Sequence, residues 1–163
     1  MRQFHVLLLL GSTVLSTAVA AAPAAKPAIP PILTGAPSAQ AINSRCDWFV
    51  ARSTAMRTAL ERSKAKPSVA TTLTAYDKLN ELINDGSGEA GLYRQVSPTA
   101  ASRAAGEKCE VRMASEQTKL SLSRPIYEHL KAISTPADAS TKLYLTRILS
   151  AFERAGIGLD AVG

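Results

Sequence analysis

The sequence predicts an all-α fold, an antiparallel bundle-like array of about five helices. Beyond about position 41, apolar residues recur at steps of three and four, the spacing that places them on one helical face. Aromatic residues make up only 5% of the chain, and its apolar content leans on Ala and Leu, which favours helix over sheet. Four of the nine prolines, Pro67, Pro98, Pro125 and Pro136, each stand near a Ser or Thr where a periodic run begins, and none interrupts a run. At 163 residues the chain has the length of one domain and can bury a core.

The first twenty residues read as an export signal. Arg2 supplies a positive start, Val6–Leu10 opens an apolar run, and Ala18-Val19-Ala20 is a small-x-small cleavage site. Gly11, Ser12, Thr13, Ser16, Thr17 and Pro23 make that run a poor permanent span, and no cysteine stands at the cleavage site to carry a lipid. The expected product is periplasmic or secreted, with no stable membrane span after cleavage. Residues 21–41 follow as an Ala/Pro-rich linker holding Pro23, Pro27, Pro30, Pro31 and Pro37, a composition that favours an extended spacer. The helical domain is expected over 42–163.

The first helix is expected from about Ala41 to Lys64, with Ile42, Cys46, Phe49, Met56 and Leu60 on its apolar stripe and Trp48 off it. A second runs from Val69 to Asn84 on Leu73, Tyr76, Leu79 and Ile83. The stretch Asp85–Gly91 holds three glycines and reads as a mobile loop, and Leu92–Val96 as an extended connector. The third helix starts with Ser97 as N-cap and Pro98 as first helical residue, and carries Ala101, Ala105, Cys109, Met113 and Leu120. Ser123 and Pro125 open a fourth helix to Ile133. A fifth starts at Thr135-Pro136, carries Leu143, Leu145, Ile148, Leu149 and Phe152, and ends at Gly156, with Ile157 placed for the contact that follows a left-handed cap. Gly158-Leu159-Asp160-Ala161 then reads as a linker and a new helix start, so the chain is expected to be part of something larger.

The formal charge of +6 invites an anionic partner, but the charges are interleaved. Arg94, Arg103, Lys108, Arg112, Lys119, Arg124 and Lys131 alternate with Glu107, Glu110, Glu116 and Glu128, the pattern of a solvated helix face. A basic stripe with interleaved aromatics is missing, so no nucleic-acid partner is expected. The glycine-rich stretch lacks a following Lys-Ser/Thr and comes after a helix, unlike a phosphate-binding loop. Cys46 and Cys109 can form a disulfide in an oxidising compartment or be two buried thiols, and spacing alone leaves both readings open.

Residues 96–159 resemble the N-terminal helical region of the thimet oligopeptidase family of zinc metallopeptidases, which includes oligopeptidase A and the peptidyl-dipeptidases. The likeness is carried by Val96-Ser97-Pro98, by Ala104–Leu120 and by Ser123–Leu130 with Ile126-Tyr127. It continues through Leu143–Leu149 and Phe152 to Ala155-Gly156-Ile157-Gly158-Leu159. It implies a helical domain that walls a peptide channel in an exported zinc oligopeptidase, acting on short peptides through the full-length parent.

The family's His-Glu-x-x-His helix is absent. Past the signal the only histidine is His129, so a catalytic zinc would have to combine it with both cysteines, and a helical, partly exposed histidine is the simpler reading. No catalytic, metal or cofactor residue is therefore assigned, and zinc belongs to the full-length family member alone. The expected chain is an inactive N-terminal fragment with an orphaned apolar face through which it self-associates. The alternative is a stand-alone periplasmic helical binding or adaptor domain without enzymatic activity.

Overall fold

A computed structural model describes residues 31–134, 136 and 138–157. The signal-like residues 1–20, most of the linker and the Gly158-Leu159-Asp160-Ala161 stretch lie outside these. Contacts divide the chain between Pro31 and Ile32, and all elements below belong to the second unit. The fold is all-α: α1 (Ala39–Glu61), α2 (Thr74–Val96, entered through a π-helical turn Val69–Leu73), α3 (Ala100–Ser121), α4 (Arg124–Lys131) and α5 (Ala139–Arg154).

Most starts have a side-chain cap; α4 opens at Ser123 without one, with Pro125 in its first turn. Ser38, Ser68, Thr99 and Asp138 all sit in extended backbone and accept an N–H from the third residue on, covering one of the unbonded amides of the first turn. The expected N-cap Ser97 instead closes α2, its N–H bonding to the Tyr93 carbonyl, and Thr99 takes the capping role for α3. The fifth helix likewise begins past Pro136, with Asp138 as its N-cap; Thr135 of the expected start lies outside the described residues. At its far end the Gly156 N–H bonds Glu153 O at 3.0 Å and the Ile157 N–H bonds Phe152 O at 3.2 Å, with Gly156 at φ 99°. That pair of bonds is a Schellman cap, and Ile157 returns to the core beside it.

The largest correction concerns Asp85–Gly91 and Leu92–Val96, which are helical throughout rather than loop and connector. Of the three glycines there, Gly86 is a spacer, while Gly88 and Gly91 face open space. A Cβ on Gly86 would lie 2.8 Å from Met113 Cε and 3.0 Å from the Phe49 ring. On the facing helix a Cβ on Gly106 would lie 2.5 Å from the Arg94 backbone nitrogen and 3.0 Å from Ala90 O. Two backbones meet here, and only small residues allow it. Ala90 and Arg94, late in α2, face Gly106, early in α3, while Gly86 faces Met113 further along, so the two run antiparallel.

Helices α1, α2 and α3 form an up-down-up bundle, since Cys46 meets Cys109 while Phe49 faces Gly86. Helices α4 and α5 form a hairpin across the end where α1 and α3 finish and α2 begins. One continuous core runs from Cys46 and Phe49 through Leu79, Ile83, Met113 and Leu120 to Ile126, Leu130, Ile148 and Phe152. The stripes differ from expectation at two places. Ala101 is exposed while Ser102 is buried, and Leu143 is 52% exposed. At the other end, Leu33 and Ala39 pack on a small cluster of Ile42, Tyr93 and Ala105. There Leu33 N–H bonds the Tyr93 hydroxyl at 3.3 Å and Ser102 Oγ donates to Pro37 O at 2.9 Å. The last residues of the proline-rich stretch are thus laid onto the bundle.

Candidate functional site

Three groups of chemically capable side chains are brought together by this packing. The first is the cysteine pair. Cys46 and Cys109 stand on the facing stripes of α1 and α3, their Cα atoms are 5.6 Å apart, and their sulfurs are bonded. The bond is sealed, with Cys46 1% and Cys109 5% exposed among Phe49, Met113 and their neighbours. Neither sulfur is a thiolate available to a metal.

The second group is a polar seam joining α1, α3 and α4. Glu116 is only 2% exposed, so the reading of its charge as part of a solvated face is corrected. Its carboxylate accepts from Thr54 Oγ1 at 3.1 Å and from Lys119 Nζ at 2.6 Å, with Arg57 Nε 4.0 Å away. Arg57 also donates to Glu61 at 3.0 Å, and Ser123 Oγ donates to the same Glu61 oxygen at 2.9 Å. The Glu116 charge is therefore compensated by partners from two helices. Next to this seam Ser53 Oγ, fully buried, and Gln117 Oε1 have no hydrogen-bond partner among the described residues. His129 sets Nε2 3.4 Å from the backbone oxygen of Glu61. It faces main chain, and among the described residues no carboxylate is in contact to tune it as a base and no hydroxyl or thiol stands by it to be activated.

The third group lies at the opposite end. Arg45 forks onto the Glu89 carboxylate, which also accepts from the Tyr93 hydroxyl at 3.2 Å, and the guanidinium stands 5.1 Å over the Phe49 ring. The Glu89 bond raises the Arg45 pKa, outweighing its burial. Burial first and Glu89 second raise that of Tyr93. Both groups are locked in their ordinary protonation states, arginine charged and tyrosine neutral. On α5, burial and a hydrogen bond to Asp77 raise the Tyr144 pKa.

Among the described residues no three His, Cys, Asp or Glu side chains stand together as a metal site. The set considered from sequence, His129 with Cys46 and Cys109, does not fit zinc. The two sulfurs are bonded to one another inside the bundle, while His129 lies at the α1–α4 junction. No described helix is long and apolar enough to cross a membrane. One surface depression lies between the α1–α2 loop and the end of α4, lined by Lys66, Pro67, Val69 and Ile133.

Sequence reasoning missed the Glu116 seam and the Arg45–Glu89–Tyr93 cluster. The signal for the first was available: Glu116 falls three residues after Met113 and four before Leu120, on the buried stripe. No protein-family model matches the chain, and no curated protein sequence does.

Proposed function

We propose that residues 39–157 are the kind of helical domain that an exported zinc oligopeptidase carries ahead of its metal-binding helix. In this reading the domain walls a channel for short peptides and supplies neither a zinc ligand nor a hydrolytic group. The observation that supports it is what the resemblance-bearing residues do. Arg124 donates to the Ile157 carbonyl, Tyr127 donates to Glu153 at 3.1 Å, and the Tyr127 and Phe152 rings meet at 5.9 Å. The Ser-Arg-Pro-Ile-Tyr stretch and the Phe…Ala-Gly-Ile stretch are thus the two halves of one lock between α4 and α5. The sealed disulfide supports export, because such bonds persist in oxidising compartments.

The test is hydrolysis of internally quenched oligopeptides by the purified chain with zinc supplied. No hydrolysis is expected, and turnover abolished by a chelator would sink the reading. Sequencing the gene past the Gly163 codon in all three forward frames separates it from a second reading, a stand-alone binding or adaptor domain. In-frame His-Glu-x-x-His is expected; its absence transfers support to the adaptor. That second reading is favoured by the single continuous core, which joins all five helices. An adaptor is monomeric with one cooperative thermal transition, whereas a channel wall offers apolar surface to a reporter dye and self-associates.

A further inference from the structure

We infer that the Cys46–Cys109 bond is a latch installed by a disulfide donor before α1 and α3 close, so that oxidation precedes folding of the bundle. The geometry leaves little alternative. Thiol–disulfide exchange requires a thiolate to approach a sulfur along the S–S axis, and a donor protein or glutathione needs an open path to do it. In the closed bundle the sulfurs have none, with Cys46 and Cys109 1% and 5% exposed beneath Phe49 and Met113. The facing wall cannot lend space, because at Gly86 even an added methyl would meet Met113 and Phe49.

The two cysteines are 63 residues apart, with all of α2 between them. The bond therefore joins the first and third helices of the up-down-up path rather than neighbours in sequence. Chemically, one cysteine thiolate attacks the donor's disulfide, forming a mixed disulfide and releasing one donor thiolate. The second cysteine thiolate then displaces the remaining donor sulfur. The chain loses two electrons and two protons, and the donor disulfide becomes a dithiol. The reaction that must act on this chain is dithiol oxidation by a thiol–disulfide oxidoreductase or an oxidised small thiol. The latch does not depend on the peptidase reading, and its test reads no peptidase activity.

The experiment has two arms on the full chain without its first twenty residues. In the first, dithiothreitol is added in native buffer and in denaturant, and free thiols are counted over time by mass after alkylation. Reduction in native buffer is expected at less than about a hundredth of the denaturant rate, because it must await an opening whose population is small. In the second, chain reduced in denaturant is diluted into native buffer with or without oxidised glutathione. Only the oxidant-containing sample is expected to regain the native near-ultraviolet dichroism and cooperative melt. Equal reduction rates in the first arm, or a reduced chain whose melt matches the oxidised one, would each overturn the latch.

Discussion

Gly106 and Gly88 belong to the same residue type and do opposite things. A methyl on Gly88 meets nothing within 4 Å, so Gly88→Ala should raise stability by about 0.5–1 kcal/mol through helix propensity alone. At Gly106 the nearest atoms are backbone of α2, which cannot yield as a side-chain end can. Gly106→Ala should therefore lower stability, since overpacking costs about 1–3 kcal/mol. Denaturant midpoints of the two variants check both signs together. Asp138 makes a pH prediction at the same scale. Hydrogen bonds from Ser140 first and Thr141 next lower its pKa from 3.8 to about 2. A carboxylate depressed in the folded state contributes above its unfolded value and loses that contribution as pH falls through the folded one. The start of α5 should loosen between about pH 4 and pH 2 and be indifferent to pH near neutrality. Asp138→Asn keeps a capping oxygen but does not titrate, so the Thr141 amide resonance should move with acid in the wild type and stay flat in the variant.

At the scale of elements, much of the fold was legible because helical periodicity is a local property. The stripes on Cys46–Phe49, Tyr76–Leu79–Ile83 and Cys109–Met113–Leu120 lie where their three- and four-residue steps place them. The Gly86–Gly91 stretch was not legible, since glycine serves both a free backbone and a tight helix contact, and only the partner helix decides between them. Glu116 was legible by position but hidden by type: a carboxylate on a core stripe announces a buried pairing only once Thr54 and Arg57 arrive from another helix. The disulfide depended on a Cα distance that no spacing encodes. Two substitutions weigh these joints. Glu116→Ala should cost about 1–3 kcal/mol by leaving the Thr54 hydroxyl without its acceptor inside the seam, while Lys119→Ala, at the half-exposed rim, should cost less than about 1 kcal/mol. Phe152→Ala should cost about 3–5 kcal/mol, because its ring joins Tyr76 of α2 to Tyr127 of α4.

For the whole molecule the cross-link and the core divide the labour. Replacing both cysteines by Ala should remove about 4 kcal/mol, the loop-closure estimate for a link across 63 residues and a large part of a domain's stability, so that the cooperative thermal transition of the intact chain is lost. The link lies in the half of the bundle that also holds Arg45, Glu89 and Tyr93, whereas the α4–α5 hairpin has only packing and hydrogen bonds to keep it. Opening should therefore come in two tiers. Backbone amides of α5 should exchange with deuterium through an opening of the hairpin alone, at lower free energy than those flanking Cys109, which wait for the bundle to come apart. Such a molecule has a hinged end and a riveted one, and a partner that must pry it open would begin at the hairpin.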